Sequence, residues 1–482
     1  MLAEKILHLK LLKFVLTVLK KWISPPLLTE DLFPVEKCLI NKKYNVFQGG
    51  GEVQNERKVL VSALLKAEKS GYSNIILDSV LNQTDLNSVG KAFVTTAFYG
   101  VLERKITIDF ILNKFLKKPI SKTPPYTSAV LRSGAYQILY MNKIPNSAVV
   151  NEAVKLIKKS KERGNIGLVN AVLRNLSSED VYDILNSIKE PSVKYSVEAW
   201  IYNRLISEYP KDKINSFFEN SLLPPPVFIR VNTLKENAFN LVSEELESIG
   251  ATVKPTDFND FYAVEGIKTV EKLKSYKNGL FFVQDYSSRF AVASLSAKPN
   301  ERIMDCCAAP GGKTFSIAMD MENSGEIISL DIHPHRVELI KKGANRLGLS
   351  AVKADVNDAT EFNEALGLFD RVICDAPCSG VGVIRRKPEI KYKSEAECNA
   401  LSEIQRKILL TSSRYVKSGG RLVYSTCTLF KSENDDIVSD FLNINKDFKL
   451  VSAYNKTSNK MLSLMPPEDL GDGFFVAVME RQ

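Results

Sequence analysis

Two cysteines in this 482-residue chain stand where a thiol can do chemistry. Cys378 follows the apolar run Val372-Ile373-Cys374 and the turn Asp375-Ala376-Pro377. Such an uninterrupted apolar run fits a parallel strand covered on both faces. Pro377 cannot continue a central strand, so the chain leaves the sheet there and Asp375 and Cys378 fall at a carboxyl end. Ligands of open α/β sheets bind outside such ends. Cys427 closes the stretch Arg421 to Tyr424 in the same way, through Ser425-Thr426. Most free cysteines are small buried residues. A position just past a strand end, rather than inside it, favours a reactive role for these two. A free thiol has a pKa of about 8.5 and is mostly protonated at neutral pH, so a site that uses one must lower that pKa or supply a base. Cys306, Cys374, Cys38 and Cys398 lack the placement and read as structural.

A third feature is the run DCCAAPGGKT from Asp305 to Thr314. Gly312-Lys313-Thr314 imitates the end of a phosphate-binding loop, but that motif needs glycine where Cys307 stands. The dinucleotide Gly-x-Gly-x-x-Gly pattern is also absent. What remains is a strand, a turn of small residues (Ala308, Ala309, Gly311, Gly312) and a helix start. Small residues let a ligand approach the backbone, and a helix start offers free N–H groups to a carboxylate. Asp331, at the next strand end, is placed like an acid that binds ribose hydroxyls, and Asp355 at the third would lie near a base. With Asp375 these acids predict a nucleoside-bearing cofactor. An amino-acid carboxylate in place of pyrophosphate suits S-adenosylmethionine. Arg385-Arg386-Lys387 reads either as a solvated loop or as a phosphate clamp for a flipped nucleotide.

Strands and helices must alternate to position these residues. Over 301–482, short strands at Arg302-Ile303-Met304, Ile327 to Leu330, Val352-Lys353-Ala354, Val372 to Cys374 and Arg421 to Tyr424 are separated by helical segments. That order predicts a Rossmann-like α/β domain with a parallel, doubly wound sheet. Phe448 to Val451 and Phe474 to Met479 are candidate closing strands. Residues 227–300 read as a small α/β subdomain, with strands at Val227 to Val231, Ala251 to Lys254 and Phe281 to Val283. Residues 177–226 read as a helical connector ended by Pro224-Pro225-Pro226. Residues 55–176 carry apolar positions at helical spacing, punctuated by Pro119, Pro124-Pro125 and Pro145, and predict an all-helical domain. Its Lys155, Lys158, Lys159, Lys161, Arg163 and Arg174 form either a solvated face or an RNA phosphate surface.

Residues 1–54 fit no domain and read as an extension, or as upstream sequence from a misplaced start. Ile6 to Ile23 is apolar but broken by Lys10, Lys13, Lys20 and Lys21, too charged to span a membrane. The net charge of +9 is compatible with an anionic partner such as nucleic acid. Seven cysteines without a regular framework predict free thiols in a reducing, cytoplasmic setting. No Cys-x-x-Cys pair exists and the histidines are His8, His333 and His335, so no metal site is expected.

The runs GVLERKITIDFILNKFL and YQILYMNKIPNSAVVNEAVKLIKKS, with LVNAVLRNL after them, resemble the NusB-type helical RNA-binding fold. CAAPGGKT, DAPCSGVGVIRRKPEIK and YSTCTL resemble the RNA cytosine-5 methyltransferases of the NOL1/NOP2/Sun type. From about Asn55 to Gln482 the arrangement is similar to the ribosomal small-subunit RNA methyltransferase B branch of that family. The resemblance implies methyl transfer from S-adenosylmethionine to carbon 5 of a cytosine in 16S ribosomal RNA, the family's cytosine 967, by a monomer. By motif it implies cofactor contacts from Cys307, Ala308, Ala309, Pro310, Gly311, Gly312, Lys313, Asp331, Arg336, Asp355 and Asp375. It makes Cys427 the nucleophile, Cys378 the residue that releases product and Asp375 the residue that positions the base. A DNA-type enzyme would attack with the Pro-Cys thiol, Cys378, instead. Two departures stand out: Tyr392 where the family often has Trp, and Ser432-Glu433-Asn434 where Glu-Glu-Asn is common. They put fine substrate contacts in doubt. Two other readings stay open: a transfer-RNA cytosine-5 methyltransferase, and a non-catalytic RNA-binding assembly factor.

Overall fold

The computed structural model describes residues 55–69 and 73–482, apart from positions 268 and 459, all within the unit Gln54–Gln482. The basic helix expected over Ile6 to Ile23, with His8 and Cys38, lies outside the described residues. From Glu56 to Asn220 the described residues form helices and no strand. Asn55 and Asn87 cap the helices Glu56–Ala67 and Ser88–Glu103 by accepting backbone N–H groups, donors that a helix start otherwise leaves free. Pro125 opens the helix Pro125–Tyr140, where a missing N–H costs no hydrogen bond. This helix is buried along most of its length among its neighbours. Its one deep charge, Arg132, is matched by Asp109 at 2.7 Å and by Glu68.

Two sheets follow. The smaller is antiparallel, in the order β2-β3-β1-β4, from β1 (Val227–Val231), β2 (Thr252–Pro255), β3 (Phe261–Glu265) and β4 (Phe281–Val283). The strand β3 escapes the sequence reading. Arg230 of β1 is 2% exposed and holds this sheet on the helix Gly312–Asp320. It donates to Asp260 at 2.8 Å, to Ser316 at 2.7 Å and to Asp320 at 2.6 Å.

The larger sheet contains β5 (Arg302–Asp305), β6 (Glu326–Asp331), β7 (Val352–Val356), β8 (Phe369–Asp375), β9 (Val416–Thr426), β10 (Phe448–Leu450), β11 (Leu462–Leu464) and β12 (Phe474–Arg481). Its order is β10-β12-β9-β8-β5-β6-β7, with β11 also paired to β12. β5 to β9 run parallel, whereas β12 is antiparallel to β9, β10 and β11. The sheet is therefore mixed rather than parallel throughout. A run of apolar residues marks a buried strand but carries no sign of its direction. Alternate residues enter opposite cores: Ile303, Ile373 and Val423 on one face, Met304, Val372, Cys374, Leu422 and Tyr424 on the other. The order reverses between β5 and β8, which is where a doubly wound sheet opens a crevice at its carboxyl ends.

The stretch read as a connector does more than link. Ile201, Leu205, Phe217 and Phe218 of its helices Ala199–Glu208 and Lys211–Asn220 are buried with Val381, Ile384, Ile390, Leu429 and Phe430. Those partners lie on the loops that follow Cys378 and Cys427.

Candidate active site

Asp375 is the last residue of β8 and pairs in register with Ser425 of β9. Ser425 Oγ donates to one Asp375 oxygen at 2.8 Å, and Lys313 Nζ donates to the other at 2.7 Å. Lys313 is nearly buried and also reaches Ser288 Oγ at 3.3 Å. Its stem rises from the small-residue turn, so this lysine joins the turn to the end of β8.

Cys378 and Cys427 come together across β8 and β9. Their sulfurs are 3.0 Å apart and both thiols are free; a disulfide would hold them at about 2.05 Å. The Cys427 N–H also donates to Cys378 Sγ at 3.3 Å. The hydrogen bond from Cys378 lowers the Cys427 thiol below its usual range, against burial and Asp375, with Lys387 and Lys313 assisting. The same contact, burial and neighbouring negative charge push the Cys378 thiol well up. Gly382 fixes the loop beyond. Its N–H donates to the Cys427 carbonyl at 3.0 Å, and a Cβ there would lie 1.9 Å from the Gly473 carbonyl oxygen.

The turn after β5 is held by Ala308 N–H donating to Leu330 O at 2.8 Å. Gly311 has φ of +110°, a backbone state that only glycine adopts freely. Around Gly312, at the first position of the helix Gly312–Asp320, a Cβ would meet nothing within 4 Å. Asp305 is fully buried; Thr314 Oγ1 donates to its Oδ2 at 2.7 Å while its Oδ1 has no partner. Burial pushes its carboxyl up to about 7. Asp331 ends β6, accepts the His333 N–H at 3.0 Å and lies 3.3 Å from Arg336. Arg336 also donates to Ala309 O at 3.1 Å, so it bridges that acid and the turn. Asp355 lies on β7 opposite Leu330 and is exposed.

Apart from Asp355, whose carboxylate accepts the Val356 N–H at 2.7 Å on β7, the sequence-derived residues gather in two linked groups. Cys307 to Lys313, Asp331 and Arg336 surround the turn, and Asp375, Cys378 and Cys427 form the thiol end, with the Lys313–Asp375 ion pair between them. Arg385 and Arg386 fit neither of their two readings, solvated loop or phosphate clamp, because both are bonded within the chain. Arg385 donates to Leu223 O and Asn220, both at 2.9 Å, and Arg386 to Asp285 at 3.0 Å and to Asp472. Only Lys387 of the three remains exposed. Tyr392, read as a departure that bears on substrate contacts, is instead half-buried against the helical part. Its hydroxyl accepts the Lys105 N–H at 3.2 Å and donates to Leu102 O. Ser425, Glu433 and Gln405 were missed; no spacing rule marks a residue that acts on a neighbour across a sheet. Among the described residues no group of His, Cys, Asp and Glu is placed to hold a metal, and no helix is long and apolar enough to cross a membrane.

A Rossmann-like domain with a small-residue turn after its first strand, set behind a helical domain, defines a class of RNA-directed methyltransferases, and comparison with known proteins agrees. Residues 292–480 match the family described as 16S rRNA methyltransferase RsmB/F, and residues 54–178 match the NusB family. The chain is 35% identical to the probable ribosomal RNA small subunit methyltransferase B of Bacillus subtilis (strain 168), over 88% of this chain and 98% of that one. It is 30% identical to the ribosomal RNA small subunit methyltransferase B of Proteus mirabilis (strain HI4320), over 89% and 99%. The crystal structure of PH0851 superposes with a TM-score of 0.76 at 27% identity, covering 88% of this chain and 98% of that one. NSun6 from Pyrococcus horikoshii, solved with SFG, shares the fold at a TM-score of 0.54 and 22% identity, over 58% and 97%. The chain belongs to the ribosomal RNA small subunit methyltransferase B family, and it is a methyltransferase of that family.

Proposed function

We propose that this enzyme methylates carbon 5 of a cytosine in 16S ribosomal RNA, the family's cytosine 967, through a covalent bond between Cys427 and carbon 6, with S-adenosylmethionine as donor. The observation that carries the reading is the pair of sulfurs 3.0 Å apart, one thiol lowered and one raised, beside the Lys313–Asp375 ion pair. The turn suits the donor. Its helix start has open space at Gly312 for a carboxylate, and Asp331 is ready to accept from ribose hydroxyls. SFG, an analogue of S-adenosylmethionine, accompanies the NSun6 fold.

Carbon 5 of cytosine is too weak a nucleophile to take a methyl group unaided. The Cys427 thiolate adds to carbon 6 and raises electron density at carbon 5. Asp375 is fixed by Lys313 and Ser425, and its remaining lone pairs can accept from the 4-amino group of the base and from N3 once that nitrogen takes a proton from solvent as the sulfur adds. S-adenosylmethionine, when bound, supplies the electrophilic methyl carbon. Water takes the carbon 5 proton, the electron pair of that bond restores the 5,6 double bond, and the Cys427 sulfur departs as thiolate with the pair of the carbon–sulfur bond. Cys378 holds a proton 3.0 Å from that sulfur and stabilises it as it leaves. The target base must leave any stack to reach this end of the sheet.

Labelled methyl transfer into unmethylated 16S RNA tests the reading, with bisulfite sequencing to locate the product. Cys427→Ala is expected to abolish both transfer and covalent RNA adducts, and Cys378→Ala to trap an adduct visible on a denaturing gel. No incorporation into 16S RNA sinks the proposal, and incorporation into transfer RNA alone redirects it to another substrate. Adducts in Cys427→Ala but not in Cys378→Ala reverse the thiol roles.

A further inference from the structure

Glu433 lies just beyond the Cys427 turn, on the short 3-10 turn Lys431–Glu433, and is 1% exposed. A carboxylate that deep is costly unless its oxygens are hydrogen-bonded. Its Oε2 accepts the Ser379 N–H at 2.9 Å and the Gln405 amide at 2.8 Å. Its Oε1 lies 3.5 Å from Thr428 Oγ1, which is itself 2.7 Å from Ser379 Oγ. Gln405 also donates to Pro377 O at 2.9 Å, and Tyr424 donates to the Glu433 carbonyl at 2.7 Å. Ser379 follows Cys378 and Pro377 precedes it; Thr428 follows Cys427. One buried side chain therefore ties the flanks of both thiols together.

Neutral groups would satisfy the same donors, so the charge needs its own reason. The charged and titratable groups facing the thiols are Asp375 of β8, Lys313 of the helix Gly312–Asp320, Tyr424 of β9, Lys387, Lys393 and Glu433. Lys393 Nζ donates to Ser379 O at 2.9 Å. Lys313 and Lys387 favour the Cys427 thiolate, whereas Glu433 and Asp375 oppose ionisation of Cys378. Asp375 opposes ionisation of both thiols, whereas Glu433 is bound tightly on the Cys378 side, by the Ser379 N–H at 2.9 Å, and loosely on the Cys427 side, by Thr428 Oγ1 at 3.5 Å.

We infer that Glu433 is a positioning residue: it keeps the two thiol turns in register, and its negative charge leaves the shared proton on Cys378 and the thiolate on Cys427. Its catalytic consequence rests on the two-thiol reaction proposed above, but the placement of the proton is a property of the free protein. Alkylation by iodoacetamide across a pH series, read by peptide mass spectrometry on the full chain without RNA, follows each thiol separately. In the parent, Cys427 is labelled from a lower pH than Cys378. Glu433→Gln keeps the shape and an acceptor oxygen, and its Cys378 profile moves down by about one pH unit. Gln405→Ala loosens the same network and keeps the charge, so its Cys378 profile stays at or above that of the parent. An unmoved Cys378 profile in Glu433→Gln, or an equal downward shift in Gln405→Ala, overturns the inference. Methyl transfer measured alongside separates the two readings. An active parent with an unmoved profile sinks only the role of Glu433. An inactive parent with the expected shift sinks only the methylation reading.

Discussion

Asp305 ends β5 immediately before the small-residue turn and shows how one buried acid can carry a measurable pH signature. It is fully buried, its Oδ1 is unpartnered, and burial raises its carboxyl from an ordinary 3.8 to about 7. Between those values the folded chain binds a proton that the unfolded chain has released. Stability therefore falls as pH rises from about 4 to about 7 and levels above that. Asp305→Asn removes the dependence. The difference in melting temperature between variant and parent is expected to grow from about pH 4 to about pH 7 and then to stay constant; a constant difference throughout contradicts the shift. Asp305 was legible in the sequence only as the first residue of the DCCAAPGGKT run, and its protonation was not, because that depends on what the fold packs around it.

At the scale of elements, the loop from Cys378 to Lys393 couples the chemistry to the helical part. Its first residues form the thiol turn, and its last end in the 3-10 segment Pro388–Tyr392, buried against the helices. Tyr392 Oη accepts from Lys105, lies 3.2 Å from Ser196 Oγ and donates to Leu102 O. Ser73 Oγ donates to Glu389 at 2.8 Å. Tyr392→Phe leaves the half-buried Lys105 N–H and Leu102 carbonyl without this partner, which costs about 1 kcal/mol. Chemical denaturation is expected to show that loss without a change in the slope of the transition. Sequence reading marked the loop by Gly380, Gly382 and its three basic residues. It left Arg385 and Arg386 between solvent and phosphate, because a basic run looks the same whether its partners are water, phosphates or the carbonyls and acids of its own chain.

For the whole molecule, burial across the connector argues that the catalytic sheet does not stand alone. Val381, Ile384, Ile390, Leu429 and Phe430 share one core with Tyr195, Ile201, Leu205, Phe217 and Phe218. A chain cut to 227–482 exposes that apolar surface, and it is expected to aggregate or to lose methyl transfer even on short RNA fragments. Full activity of a soluble, monomeric 227–482 fragment on such RNA would show that the helices serve capture alone. The amino-acid sequence by itself determined the strand-end acids, the small-residue turn and both thiols, because local periodicity and the limits on proline and glycine act within a few residues. It also determined the division into a helical part and an alternating α/β part. Tertiary structure alone decided that β12 runs antiparallel to β9, that Lys313 belongs to Asp375, and that Arg385 and Arg386 turn inward. It alone brought Glu433 to the flanks of two cysteines 3.0 Å apart. These are contacts between residues tens to hundreds of positions apart, set by sheet register and packing, and no short-range pattern encodes them.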